Sequence, residues 1–393
     1  INKQHSNTET YVINEKNILI TGGAGFIGSN LALRLIEKGH KVTVMDNLSP
    51  QIHGAEPENQ SPLYQSIRNR VCFVRGDVTS AGDWQSVLPG QDVIVHLAAE
   101  TGTGQSMYQI KHYTDVNVGG TALMLDLLAA GKGYAVQKVV VASSRAIYGE
   151  GKYRNASGAI VYPSMRSSDN MRAGDFHVYD DGSREPLQSV PTDESSRLHP
   201  SSVYGITKLN QEQMVMTVCP ALGIAPVAFR YQNVYGPGQS LRNPYTGILS
   251  IFSTQILNGL PINIFEDGEE SRDFVFIRDV VDATIAGIEM SEADGYAFNV
   301  GMGTSVTVME VANQLMHAFG VAVPCQITGD FRVGDIRHNR ADIGLLQQRL
   351  GMTPRVSFRE GIKQFVEWVK TQEKPESRYD ASIQEMKQKG LMK

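Results

Sequence analysis

Residues 17–47 read NILITGGAGFIGSNLALRLIEKGHKVTVMDN. A short run rich in β-branched residues gives way to a cluster of glycines, then to apolar residues at helical spacing, then to a second apolar run ending in Asp46. The glycines satisfy GxGxxG through Gly23, Gly25 and Gly28, and TGxxGxxG through Gly22, Gly25 and Gly28. Glycine is needed where a strand turns tightly into a helix, where the backbone approaches a pyrophosphate, and where the helix presses against the strand. The helix N-terminus then faces the phosphates. Alone, such a pattern is weak, and a glycine-rich turn followed by a surface acid would match it. Here a strand precedes it, an amphipathic helix follows, and Asp46 stands where a carboxylate accepts hydrogen bonds from the adenosine ribose. A carboxylate there repels a 2′-phosphate, so the spacing predicts NAD rather than NADP.

The same alternation continues. Apolar runs at 17–21, 41–46, 71–77, 92–99, 138–144 and 227–236 are separated by stretches of helical period, including a long one at about 105–130 and another from Ser201 to Pro220. Runs this continuously apolar belong to strands covered on both faces, so the fold class is α/β: a doubly wound parallel sheet of the Rossmann type. From about 237 the elements shorten and turns multiply, which implies a smaller C-terminal α/β lobe for substrate. Its helices at 279–291 and 306–318 could still pack on the sheet. The expected division is a polar extension over 1–16, a dinucleotide-binding domain over 17–236, a substrate lobe mainly over 237–372, and a polar tail over 373–393 read as a surface helix or frayed end. Residues 150–192, rich in Gly, Ser, Asp and Pro, interrupt the rhythm between two core elements. A connection of that length is usually functional or disordered, and we expect a folded excursion near the mouth of the site.

Composition narrows the function classes. The 393 residues carry a net charge of -5 and no Lys/Arg block, which argues against a nucleic-acid partner. The three cysteines, Cys72, Cys219 and Cys325, stand in no CxxC spacing. That speaks against a disulfide framework or a metal site and for a reducing cytoplasm. Residues 1–16 hold no apolar stretch of the secretory kind. No run of 18 apolar residues exists, so a membrane-spanning helix is excluded on length.

Two stretches carry the chemistry. VASSRAIYG (141–149) puts two hydroxyls at the tip of a buried strand, and YGITK (204–208) puts a phenol and an ammonium one helical turn apart on one face. A lysine that close favours the phenolate and makes Tyr204 a usable general base. In isolation the pair reads equally as an ordinary helix-surface contact; behind the glycine turn it reads as catalysis.

The set TGGAGFIG, Asp46, GDV (76–78), HLAA (96–99), NVGGT (117–121), VASSRAIYG and YGITK resembles the extended short-chain dehydrogenase/reductase family of nucleotide-sugar enzymes, over about residues 17–372. The resemblance implies Ser144 as the hydroxyl that bonds the reacting sugar oxygen, Tyr204 as base, and Lys208 as partner of the phenolate and the nicotinamide ribose. Phe26 and Ile27 then lie by the pyrophosphate, Asp46 and Asn47 by the ribose, Asp77 and Val78 by the adenine, and Leu97, Ala98 and Ala99 along the cofactor. Gly22, Gly25, Gly28, Leu48, Asn117, Ala142, Ser143 and Tyr231 complete the cofactor set. On the substrate side, Asn233 matches an asparagine that meets the sugar diphosphate, Arg272 and Arg332 a pair of phosphate-binding arginines, and Asp335 an acid that reaches the nucleotide ribose. Each arginine could instead be a surface ion pair. Members that expel water carry acids directly after the catalytic hydroxyl; this chain has Arg145 and Ala146 there. The resemblance therefore implies C4 oxidation and re-reduction, an epimerisation without net redox change, and neither dehydration nor decarboxylation.

More particular stretches, AAETGTGQSMYQI (98–110), YTDVNVGGTALMLDLL (113–128) and RVGDIRHNRAD (332–342), together with the long 150–192 connection, are similar to the group acting on dTDP-L-rhamnose and dTDP-6-deoxy-L-talose. Thr101, Gln105 and Ser106 then line the sugar site. Arg145 could contact the sugar, order the insertion, or pair with an acid. The alternatives are a 4-epimerase for a UDP-hexose or UDP-hexuronic acid, a keto-sugar reductase, and a silent NAD-binding scaffold. A homodimer through the YGITK helix and the 105–130 stretch is also implied.

Overall fold

The first strand, β1 (Asn17–Thr21), shows how the chain builds its layers. Ile18 and Ile20 are buried on one side with helix α1 (Phe26–Glu37), and Leu19 is buried on the other. The strands β2 (Lys41–Asp46), β3 (Cys72–Arg75), β4 (Val93–His96), β5 (Lys138–Ser144), β6 (Ala225–Tyr231) and a late strand, Ala297–Val300, join it in the order β3-β2-β1-β4-β5-β6 followed by the late strand. Every pairing is parallel. This is the doubly wound sheet expected from the alternating runs. Strand order reverses between β1 and β4, where such sheets open a crevice at the strand ends.

The structure is a computed structural model that describes residues 15–131, 133–180, 185–241, 247–373 and 379–393; the expected N-terminal extension lies almost wholly outside them. Helices α2 (Gly120–Ala129) and α3 (Val203–Ala221) cover one face of the sheet, with Met124, Leu125, Val215 and Cys219 buried there. Helix α4 (Ile277–Glu289) packs with α1 over the other face. The C-terminal part of the chain is therefore interleaved with the sheet, since α4 and the late strand return to it after the chain has left. Among the described residues no helix is long and apolar enough to cross a membrane.

Three elements differ from the expected ones. The run at 227–236 is two strands: Gln232 ends the main-sheet pairing by bonding Val300 O at 3.0 Å, and Asn233–Tyr235 then pairs with Phe274–Phe276. The 105–130 stretch breaks into Thr103–Ser106, Ile110–Tyr113, a π turn over Thr114–Gly119, and α2. That wide turn carries Asn117 inward, where its amide bonds Glu100 and the Thr207 hydroxyl. The end of the chain is docked, because Met386 and Met392 are buried and residues 391–393 pair with Phe331–Val333.

The described residues of the 150–192 connection, 150–180 and 185–192, are folded. Tyr153–Arg154 lies between Ile160–Val161 and Gln188–Ser189 in a small antiparallel sheet. Met171 and Phe176 pack on Phe331 from the C-terminal part of the chain. Its main anchor is buried Arg166, which donates to both carboxylate oxygens of Glu266 at 2.7 Å and to Asp335 O at 3.1 Å.

Candidate active site

The glycine turn closes β1 onto the crevice. Gly22 has φ +67°, and a Cβ on it would stand 2.8 Å from Ala98 Cα, so β1 and β4 meet there without side chains. A Cβ on Gly28 would lie 2.5 Å from Gly22 O, which fixes how closely α1 approaches the turn. Helix α1 begins at Gly25 with no capping side chain and no acid in its first turn, leaving its amides open to an anion. The cleft beyond, of about 370 Å³, is lined by Gly22, Gly25, Phe26, Ile27, Gly28, Asp46, Asn47, Val78, Leu97, Ala98, Ala99, Thr101, Ala142, Ser143, Ser144, Tyr204, Lys208 and Tyr231.

At the adenosine end, Asp46 accepts from Ala24 N at 3.0 Å and Leu48 N at 2.8 Å, which aims its carboxylate into the cleft. Asn47 donates to Asp77 at 3.0 Å. Burial works to raise the Asp77 carboxyl, but bonds from Thr79 and Asn47 outweigh it and hold it below the usual range. Leu48 contributes only its backbone: it adopts φ 54° and its side chain is core. Asn117 likewise does not reach the cleft, since its amide is committed to Glu100 and Thr207. Sequence reasoning missed Gln51, Ile52, His53 and Leu63, which also line the cleft. They sit on short helices at 50–53 and 62–67 that carry no motif.

At the other end, β5 delivers Ser144 and the second position of α3 delivers Tyr204. Ser202 caps α3 by accepting from Gly205 N at 3.1 Å, while Ser106 accepts from Tyr204 N at 3.0 Å. Ser144 and Tyr204 both line this end of the cleft, and the Ser144 hydroxyl itself accepts from Ala146 N at 3.2 Å. Lys208, one turn on, donates to Ala142 O at 2.9 Å. The two hydroxyls and the amine thus converge at one end of the cleft. Burial pushes the Tyr204 phenol up, with Ser144 and the Arg145 charge opposing it. The expected pull from Lys208 is absent from that balance: its ammonium is turned to a carbonyl, and burial brings it down to about 7. Beneath them His96 bridges the Thr21 and Thr121 hydroxyls at 2.8 and 3.0 Å, held neutral because burial and the nearby lysine lower it to about 3. This support was not legible as a motif.

The sugar-side residues divide. Thr101 faces the cleft, its carbonyl accepting from Tyr113 Oη at 2.6 Å. Ser106 is a positioning residue, because its hydroxyl also donates to Thr103 O. Gln105 exchanges two 3.1 Å bonds with Gln51 across the cleft mouth. Asn233 opens the strand beside Asp273, accepted by its carbonyl at 2.9 Å. Arg272 differs from expectation: its fork donates to Ser271 O, Ile336 O, Arg337 O and Asp335 Oδ1, so the terminal nitrogens are filled by protein acceptors. Asp335 is thereby an ion-pair partner at 3.0 Å. Burial works to raise its carboxyl, yet four arginines led by Arg272 hold it below the usual range. Arg332 lies over the Phe265 ring at 5.1 Å with its Nε buried and unpaired, which leaves it better placed for an anion than Arg272.

The sequence model of the NAD dependent epimerase/dehydratase family matches residues 18–165 and 173–301. The chain belongs to this family. Its cofactor is NAD, and the glycine turn, the uncapped α1 and Asp46 form a site that fits it. A dTDP-L-rhamnose 4-epimerase of Burkholderia thailandensis is 37% identical over 368 residues, covering 93% of this chain and 98% of that protein. A UDP-glucose 4-epimerase of Mycolicibacterium smegmatis is 30% identical, covering 89% and 97%. Among solved epimerase/dehydratase folds, the Thermotoga maritima UDP-glucose 4-epimerase with UDP-glucose is similar at TM-score 0.72 and 29% identity, over 90% of this chain and 98% of that one. MoeE5 in complex with UDP-glucuronic acid and NAD gives 0.70 and 27%, over 90% and 99%.

Proposed function

We propose that the protein is a nucleotide-sugar 4-epimerase and that its pair is dTDP-L-rhamnose and dTDP-6-deoxy-L-talose. The observation that carries the reaction type is that Ser144 and Tyr204 line the same end of the NAD cleft, where among the described residues the nearby acids are engaged. Position 145 is arginine. Glu150 is buried and accepts from Arg337 N and Tyr153 Oη, and Glu100 is paired with His112 at 3.1 Å. Expelling a hydroxyl needs a general acid poised for it, so the site suits oxidation and re-reduction at one carbon.

NAD, when bound, supplies the reversible hydride acceptor. Tyr204 takes the proton from the sugar 4-hydroxyl and returns it at the end, while Ser144 holds that oxygen in line. Lys208 orients the cofactor side of the pair. Asp46, already fixed by two backbone amides, favours a free ribose over a 2′-phosphate and so disfavours the reductase reading. The rhamnose assignment is supported by the 37% identity to the Burkholderia thailandensis dTDP-L-rhamnose 4-epimerase. A UDP-hexuronic acid is the second reading, supported by the positive charge of Arg145 directly after Ser144 in the chain. A homodimer in the cytoplasm belongs to the same proposal; exposed Ile110 and Ile206 on the two implied contact elements support the dimer.

The test is to incubate the purified protein, without added cofactor, with dTDP-L-rhamnose, UDP-glucose and UDP-glucuronic acid separately, reading the sugar H4 couplings by NMR. We expect the dTDP sugar to equilibrate. Turnover only of a UDP sugar removes the rhamnose assignment; a requirement for stoichiometric added NADPH removes the epimerase.

A further inference from the structure

Ser49, Gln51, Ile52 and His53 line the cofactor cleft although they belong to no motif. They form the short helical turn Pro50–His53 and its leading residue, a few positions after Asp46. The inner end of this turn is seated firmly. His53 is buried, its Nδ1 bonds the Ser61 hydroxyl at 2.7 Å, and its Nε2 stands 3.8 Å from Asp46 Oδ1. Ser61 also accepts from Tyr64 N at 3.2 Å, which ties the seat to the next helix, Pro62–Ile67.

The turn is also bolted to a distant segment. Gln51 and Gln105, 54 positions apart, exchange two side-chain bonds, each amide nitrogen donating to the other's oxygen at 3.1 Å. Gln105 lies on the helical turn Thr103–Ser106 at 5% exposure, and its oxygen accepts a second bond from Tyr113 Oη at 3.2 Å. A carboxamide oxygen has two lone pairs, so both are filled by protein donors. The next residue, Ser106, accepts from Tyr204 N at 3.0 Å. The glutamine pair therefore joins a wall of the cofactor cleft to the segment that seats the start of α3. An epimerisation without net redox change needs such a tie, because the cofactor must stay in the cleft until hydride has returned to the sugar.

We propose that the Gln51–Gln105 pair is a latch that retains the cofactor, holding the Pro50–His53 turn against the cleft so that NAD leaves only when the pair opens. Gln105, which the resemblance puts at the sugar site, is thereby assigned to the cofactor side. Both glutamines are positioning residues. The latch takes its purpose from the epimerase reading, but its physics is independent of it, since a closed wall slows cofactor exchange whatever sugar is turned over.

The experiment uses the protein purified with its NAD, as wild type, Gln51→Leu, Gln105→Met and the double variant. Gln51 is exposed, so Gln51→Leu carries the test even where the buried Gln105→Met does not fold. Tyr113 keeps Thr101 O as an acceptor at 2.6 Å in every variant. Isotope-labelled NAD is added in excess without sugar, and the labelled fraction of bound cofactor is followed by mass spectrometry after desalting. Losing two neutral side-chain hydrogen bonds corresponds to about tenfold in the opening equilibrium, so each single variant should exchange NAD about tenfold faster than wild type. The double variant should exchange no faster than the faster single, because either substitution breaks the same pair. Exchange within about twofold of wild type in Gln51→Leu overturns the proposal, whether or not Tm or the KM for sugar has moved. So does a double variant whose acceleration is the product of the two singles, which would give the glutamines separate tasks. Faster exchange in a protein that turns over none of the sugars sinks the epimerase reading and leaves the latch standing.

Discussion

Replacing Arg166 by methionine should separate the insertion from the segments that carry Glu266 and Asp335. In the folded protein its side chain is 2% exposed, as is that of Glu266, and the two exchange a bidentate pair of 2.7 Å bonds. Arg166 also approaches Glu150 at 3.4 Å and donates to the carbonyls of Asp335 and Phe176 at 3.1 and 3.3 Å. Removing one member of a buried ion pair strands the other, at about 3–5 kcal/mol. Glu266 keeps Arg337 at 2.9 Å as a second partner, which favours the lower end. The unfolding entropy of a 393-residue chain is roughly 0.8 kcal/mol per kelvin at about 2 cal/mol/K per residue, so the loss corresponds to about 4–6 °C in Tm. The assay is calorimetry of the NAD-loaded protein, paired with KM for the nucleotide sugar, which should rise because Asp335 loses its tether. Glu266→Gln introduced on the Arg166→Met background should recover part of the loss, since it removes the stranded charge. A Tm change under about 1 °C, or a second substitution that adds a full loss of its own, would show that the insertion is held by its apolar contacts and refute the reasoning.

Tyr204→Phe removes the phenol hydroxyl at the Ser144 end of the cleft while keeping the ring, so turnover should fall about 10²–10⁴-fold with bound NAD unchanged; rates within about threefold of wild type would take Tyr204 out of the base role. Gly28→Ala places a Cβ 2.5 Å from Gly22 O and 2.6 Å from Gly23 Cα, both backbone, so the glycine turn must open; a loss of about 1–3 kcal/mol and of most of the co-purified NAD is expected, checked by NAD release on denaturation. Glu270 is held up at about 7, by burial first and then by Glu266. A carboxyl raised in the folded state binds a proton that the unfolded chain releases above about 4.5, so it costs stability as pH rises through that window and the full cost is present above about 7. Glu270→Gln should accordingly be more stable than wild type at pH 8 by about 1–3 kcal/mol and no more stable at pH 4; urea midpoints at the two pH values decide it.

The parts of the molecule legible in the sequence are those whose cause is local. The glycine turn, its flanking strands and Asp46 are a continuous stretch, and each strand run betrayed its burial on both faces by having no polar side. What could not be read depends on partners far along the chain. Nothing at Gln232 announces that the next residue leaves the sheet, because the strand it joins, Phe274–Phe276, lies some forty residues on. Asn117 and Ser106 have residue types that suit a site, yet their polar atoms are claimed by Thr207 and by the backbone of Tyr204. The arginines make the point most sharply. Arg272, in a motif that promises phosphate, meets the carboxylate of Asp335 and the carbonyls of Ile336 and Arg337 and is filled by them. Arg145, directly after the strand-tip hydroxyls, feels Arg272, Asp335, Tyr204 and Glu150, which come from separate stretches of the chain. A guanidinium's charge is written in the sequence, but whether that charge is spare is a balance of acceptors drawn from four separate segments, and only a folded chain strikes it.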